Sequence, residues 1–255
     1  MNPVVPGRFD EKVALLTGAG SGIGRASAVR LAAEGASVFL HDVNADAVAE
    51  TAAIIEGAGG VARTRVGDVT ARRECVDTVA AAVGEFGRLD VLCNIAGIAA
   101  GQHVTEVTEE AYRRMVAINM DAPFFFCQAA IPHLLETSGN IVNMASSAGI
   151  VGQAYTVVYS MTKGALIQLT KSLAMELMKT DVRVNAIAPG GILTNLSNNY
   201  SMPADIDLDL LGRYLGFRGQ GDAEDIADLV ALVAAPGSRN IHGAIFSSDL
   251  GATAG

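Results

Sequence analysis

Two periodicities alternate along the chain. Short runs that are apolar, or alternate apolar with polar, recur at 13–17, 37–40, 61–66, 89–94, 140–145, 183–188 and near 244–248. Their length and pattern predict strands. Between them, apolar residues return every three or four positions, which predicts helices through Arg30 to Glu34, at 45–56, at 71–86 and at 223–235. The same period runs from Glu109 to about Thr137, interrupted near Asp121-Ala122-Pro123. Another helix opens at Tyr159 and runs to about Lys179, with Ala165, Leu166, Leu169, Leu173 and Leu177 at helical spacing. Strands alternating with helices predict an α/β fold: a doubly wound parallel sheet with helices on both faces, in a single domain over 1–255. The least patterned stretch, 195–218, is expected to be a lid inserted in that domain.

Composition narrows the classes. Half of the residues are hydrophobic and 18% are charged, enough apolar material for a sizeable core. The formal charge of -9 argues against nucleic acid and against an anionic membrane surface, both of which need a basic face. The longest uncharged span, 137–162, contains Asn140, Asn143, Ser146, Ser147 and Gln153 among its glycines, and reads as strand and loop, not as a membrane crossing. Cys75, Cys93 and Cys127 are widely spaced and odd in number, and no signal-peptide pattern opens the chain. Reduced thiols in a cytoplasmic protein are therefore expected, with neither a disulfide frame nor a metal site.

The first strand ends in Gly18-Ala19-Gly20-Ser21-Gly22-Ile23-Gly24, and a helix follows. Strand, glycine-rich turn and helix make a phosphate cradle: glycine lets the backbone approach a pyrophosphate, and the helix N-terminus offers N–H donors. Gly18, Ser21, Gly22, Ile23 and Gly24 are the candidate contacts. Asp42, at the end of the second strand, stands where a ribose 2′-hydroxyl would be gripped, although it or Asn44 could merely cap the next helix. A 2′-phosphate beside that carboxylate would cost about 1 kcal/mol per unit charge even in water, so NAD is expected over NADP. Asp68 and Val69, just past the third strand, sit where an adenine could lie.

Tyr159 and Lys163 are four apart on one helix, so their side chains can share a face. A tyrosine of pKa about 10 is a poor base near neutral pH, but a positive charge ~4 Å away favours its anion by about 4 kcal/mol at an effective dielectric of ~20. That is roughly 3 pKa units, enough to let the phenol exchange protons with an alcohol or carbonyl.

Taken in order, these motifs resemble the short-chain dehydrogenase/reductase family over nearly the whole length. The carriers are Thr17 to Gly24, Asn94-Ile95-Ala96-Gly97, Asn119, Ser146 thirteen residues before Tyr159, the Tyr159/Lys163 pair, and Pro189-Gly190 with Thr194 downstream. Asp249-Leu250-Gly251 departs from the family's usual C-terminal glycine pair, and Ser147 adjoins Ser146 as a rival for the serine role. The resemblance implies a Rossmann fold and hydride transfer between NAD and a secondary alcohol or ketone. Tyr159 would be the general acid/base, Ser146 would hold the substrate oxygen, Lys163 would lower the tyrosine pKa, and Asn119 would order a water path to Lys163. Asn94, Ala96 and Gly97 would line the cofactor, with Pro189, Gly190, Ile192 and Thr194 near its carboxamide end. It also implies a homo-oligomer, tetramer or dimer. A 3-oxoacyl-thioester reductase and a non-catalytic NAD-binding regulator are the alternatives.

Gln153 and Tyr155 precede the catalytic helix and could face substrate. In the lid, Leu196, Tyr200, Met202, Leu208, Leu210, Leu211, Leu215 and Phe217 are apolar or aromatic, whereas Asp205, Asp207 and Asp209 are acidic. Those acids would repel a polyanion, so a neutral, partly apolar small molecule is the expected substrate.

Overall fold

A run as apolar as Val13–Thr17 needs cover on both faces, and all five of its residues are buried. It forms strand β1 of a computed structural model that describes residues 3–194, 202–212 and 217–254. The other strands of the main sheet are β2 (Ser37–Asp42), β3 (Val61–Val66), β4 (Val91–Asn94), β5 (Asn140–Met144), β6 (Arg183–Pro189) and, after the pair described below, Ile245–Ser248. All seven are parallel, in the order β3-β2-β1-β4-β5-β6 and then Ile245–Ser248. The chain therefore winds outward from β1 in one direction, returns, and winds outward from β4 in the other. At that switch the connections leave in opposite directions, opening a crevice at the carboxyl ends of β1 and β4.

Among the described residues the longer helices are α1 (Gly22–Ala33), α2 (Ala45–Gly57), α3 (Arg72–Phe86), α4 (Glu109–Val116), α5 (Ala122–Thr137), α6 (Val157–Glu176) and α7 (Ala223–Ala234). The pleat divides the core between them: Leu16 packs with Leu31, Ile55, Ile226 and Val230 on one face. Leu15, its neighbour, packs with Val79, Phe126, Leu134 and Ile141 on the other. The edge strand β3 carries its arginines outward and pairs them, Arg65 to Glu74 at 2.8 and 2.9 Å and Arg63 to Glu85 at 2.8 Å. Charge on an exposed edge discourages further strand pairing.

Two details differ from the pattern. The interruption near Asp121 is not a break: α4 continues through a π-helical segment, Ala117–Asp121, directly into α5. A second, two-stranded parallel sheet joins β7 (Ile192–Leu193) to β8 (Gly221–Asp222) and brackets the expected lid. Within that bracket Leu208–Gly212 forms a helical turn. The lid positions Leu196, Tyr200 and Leu215 lie outside the described residues.

Candidate functional site

The first βα turn is shaped by contacts that only glycine permits. A Cβ on Gly24 would lie 1.9 Å from the Gly18 carbonyl oxygen, and one on Gly18 would lie 2.8 Å from the Ala96 Cα. Gly18 and Gly22 also hold φ of +67 and +50, which disfavours other residues. Ser21 precedes α1 without capping it through its side chain, so the leading N–H groups of the helix face the crevice, where an anion is stabilised. Thr17 Oγ1 accepts from the backbone N–H of Ile95 (3.0 Å) and Ala96 (3.1 Å), tying this turn to the one after β4. Asp42 accepts from Gly20 N at 2.8 Å and from Asn44 N at 2.9 Å, one bond to each carboxylate oxygen. Each oxygen keeps acceptor capacity.

These groups open into a cleft of about 620 Å³. Of the residues singled out above as cofactor or catalytic, all except Asn94 and Asn119 line it. The Asn94 amide turns into the sheet, donating to Asn143 Oδ1 at 2.8 Å and to Cys127 Sγ at 3.4 Å. Asn143 passes the chain of bonds on to Thr170 of α6 at 3.0 Å. Asn94 thus belongs to a buried ladder joining β4, β5 and α6, and its side chain does not line the cofactor cleft. Asn119 lies in the π segment and is fully buried. It bonds both ways to the Ile98 backbone (2.9 and 2.8 Å) and donates to Thr162 at 3.2 Å. Its amide fixes the loop after β4 against α6.

Lys163 reaches the cleft floor from α6 and is only 4% exposed. Its ammonium donates to the Met144 carbonyl at 2.7 Å and stands 5.7 Å from the centroid of the Tyr159 ring. Burial without a counter-ion pushes its pKa down to about 8. The expectation of an acidified Tyr159 fails here. Loss of hydration raises the tyrosine pKa, opposed by a hydrogen bond with Ser146. The lysine is four residues away, as the spacing requires, but its charged end is spent on a strand carbonyl.

Spacing favours Ser146 over its neighbour Ser147, and the partners of the two differ. Ser146 acts on Tyr159, lowering its pKa against the effect of burial, and accepts from Ala148 N at 3.2 Å. Ser147 accepts from Gln153 Nε2 at 3.4 Å. Gly149 lets this turn touch α6, since a Cβ there would lie 2.6 Å from the Lys163 carbonyl carbon. Neither Gly149 nor Thr17 had been singled out for the site, although Thr17 opens the glycine motif and Gly149 sits in the turn before the catalytic helix.

The rim also differs from expectation. Met202 and Leu211 line the cleft, but Asp205, Asp207 and Asp209 are exposed and do not. Asp205 instead meets His103 at 2.9 Å, and Tyr155 Oη accepts from Asp207 N at 2.8 Å. Tyr155 lies outside the cleft lining and fastens the segment above it. Repulsion by lid acids is therefore no argument about substrate charge. Burial holds the cysteine thiols well above their usual range, and among the described residues no cluster suited to a metal ion occurs. No described helix is long and apolar enough to cross a membrane.

Residues 12–204 match the family model described as short chain dehydrogenase. The chain is 36% identical over 248 residues to meso-2,3-butanediol dehydrogenase of Serratia marcescens, covering 97% of this chain and 96% of that one. Among solved structures it resembles a short chain dehydrogenase from Mycobacterium paratuberculosis bound to NAD, with a TM-score of 0.90, 29% identity and coverage of 98% and 100%. A short chain dehydrogenase from Burkholderia cenocepacia in complex with NADP gives a TM-score of 0.87 and 33% identity, with coverage of 96% and 99%.

Proposed function

The chain belongs to the short chain dehydrogenase family, and from that premise we propose that it moves a hydride between NAD and a secondary alcohol or its ketone. One observation carries this reading: Ser146, Tyr159 and Lys163 line the same cleft as the glycine cradle and Asp42. A nicotinamide dinucleotide fits these residues. The crowded glycines and the uncapped start of α1 suit a pyrophosphate, and the spare acceptor capacity of Asp42 suits ribose hydroxyls. When bound, the nicotinamide takes or gives the hydride.

The protein's share is proton transfer and positioning. Tyr159 exchanges the hydroxyl proton of the substrate, and Ser146, in the same cleft lining, holds the same oxygen and stabilises charge that develops on it. Lys163 keeps a positive charge at the cleft floor, where Met144 fixes its direction. Asn119 is a positioning residue that holds Ile98 and Thr162 in place.

The preference for NAD rests on Asp42 and on the engagement of the neighbouring cations; Arg114 also lines the cleft, from α4. His41 is kept neutral by burial. Arg65 is engaged by Glu74, and Arg25 by the Gly20 carbonyl and Glu50. With the lid acids turned outward, cofactor choice is what separates this reading from a 3-oxoacyl-thioester reductase, for which NADPH is the expected partner. The apolar Ile98, Ile192, Met202 and Leu211 in the lining favour a neutral, partly apolar substrate.

Calorimetric titration with each cofactor tests the first half: NAD should bind about tenfold tighter or better, and Asp42→Ala should narrow the gap. Tighter NADP binding would refute it. For the second half, Tyr159→Phe should abolish NAD-dependent oxidation of secondary alcohols while NAD affinity persists, and substantial residual turnover would remove the role assigned to the phenol.

A further inference from the structure

The glycine turn is held from behind by two side chains that the chemistry above does not use. Gly18, Ser21 and Gly22 line the cofactor cleft, whereas Ala19, Gly20, Arg25 and Thr51 do not. From α1, Arg25 donates to the Gly20 carbonyl through Nε at 3.0 Å and through Nη2 at 2.6 Å. From α2, the fully buried Thr51 places its hydroxyl 2.9 Å from the Ala19 carbonyl oxygen and 3.1 Å from that of Ala47. Arg25 Nε also donates to Thr51 Oγ1 at 3.1 Å, which ties the two side chains together. Glu50 anchors the guanidinium in turn, at 2.6 Å.

A planar trans peptide sets its C=O and N–H in opposite directions, so a held carbonyl aims the N–H of the next residue. Ala19 shows this directly: its carbonyl is turned to Thr51, and the N–H that follows, on Gly20, donates to Asp42 Oδ2 at 2.8 Å. By the same geometry, holding the Gly20 carbonyl against Arg25 turns the Ser21 N–H to the opposite side, where the cleft lies. Backbone N–H groups aimed into a concavity bind anions, and a reversed peptide would present a carbonyl oxygen in their place. We propose that Arg25 and Thr51 are positioning residues for the dinucleotide. Arg25 aims the Ser21 N–H at the pyrophosphate, and Thr51 aims the Gly20 N–H that fixes Asp42 for the ribose. Both act through the turn and neither touches the cofactor. The proposal rests on the dinucleotide reading of the cleft and goes beyond it, to residues outside the lining.

The test titrates the protein and its variants with ADP, adenosine and 2′-deoxy-ADP, each displacing fluorescent NADH. Arg25→Met should weaken ADP and 2′-deoxy-ADP about tenfold, and leave adenosine, which has no pyrophosphate, within about twofold. Arg25→Lys still offers one donor to the Gly20 carbonyl and should restore part of that loss. Thr51→Val keeps the side-chain shape and removes the hydroxyl. It should weaken ADP and adenosine about tenfold and change 2′-deoxy-ADP least, since that ligand lacks the hydroxyl that Asp42 grips. Arg25 is half-buried, so its variants remain informative if Thr51→Val is unstable. Equal losses for all three ligands, the mark of a general loss of structure, would overturn the positioning proposal and leave the dinucleotide reading intact. Unchanged affinities in Arg25→Met and Thr51→Val would do the same. Failure of the unmodified protein to bind NADH or ADP would overturn both.

Discussion

Replacing Gly149 by alanine isolates how closely the serine turn must approach the catalytic helix. The added methyl would lie 2.6 Å from the Lys163 carbonyl carbon, 2.7 Å from its oxygen and 2.9 Å from Gly164 N. All three are backbone atoms, so no side chain can swing away. Ordinary contact begins at 3.4 Å, which asks turn and helix to part by about 0.8 Å. Gly149 does not adopt a positive φ, so the cost is contact alone and not backbone strain. Overpacking of this kind costs about 1–3 kcal/mol, a fall in Tm of about 3–10 °C for a chain of this size. The turn carries Ser146 and the helix carries Tyr159, and a misplacement near 1 Å costs about 100-fold in rate. We expect kcat to fall about 10- to 100-fold, with NAD affinity changed much less. Gly152→Ala is the control, because a Cβ there meets nothing within 4 Å. Turnover and melting of Gly149→Ala that match those of Gly152→Ala would refute the reasoning.

Two other outcomes follow from buried polar groups. Lys163 loses its proton in the native state at about 8, against about 10.4 in the unfolded chain. Between those values the unfolded state binds more protons, so this group makes stability rise with pH, by about 3 kcal/mol at the upper end. The buried thiols, with pKa values pushed up to about 12, lower stability above pH about 8.5 in any variant, so the lysine is read as a difference. From pH 7.5 to 10 the urea midpoint of the cofactor-free protein should gain on that of Lys163→Met, and parallel profiles would contradict the burial argument. Asn143→Leu removes the middle of the Asn94–Asn143–Thr170 ladder and leaves a buried amide and a buried hydroxyl short of a partner. It should cost about 1–3 kcal/mol, read as a lower denaturant midpoint at unchanged slope; an unchanged midpoint would show that the ladder contributes nothing.

Much of the architecture was legible because parallel strands covered on both faces announce themselves as apolar runs. The strand at 13–17 has the predicted limits, and β5 and β6 differ from their predicted ends by a single residue. The glycine cradle was legible for a related reason, since its spacing is imposed by backbone contact. What spacing cannot encode is the direction of a side chain's polar end. Tyr159 and Lys163 are four apart, yet the ammonium goes to Met144, nineteen residues earlier and on another element. Asn94 reads as a turn residue facing the crevice, but its partner, Asn143, is forty-nine positions away. The lid acids carried the right sign, and their outward orientation depends on His103 and Tyr155, again distant in the chain. The π segment leaves no mark in composition, because it differs from an α-helix by where one hydrogen bond closes, not by which residues are used.

That segment makes residue count itself a part of the site. Each residue of an α-helix turns the next by about 100°, so an extra residue absorbed between α4 and α5 lets the two ends of one continuous rod face different neighbours. Deleting one residue from Ala117–Asp121 would preserve the helix and its apolar content, but would rotate one flank against the other by a quarter-turn or more. Asn119 would leave Ile98, or Phe126 would leave the core, and no substitution elsewhere could restore both at once. For this rod, length is the constrained variable: it tolerates exchange of side chains far better than the loss of a single peptide unit.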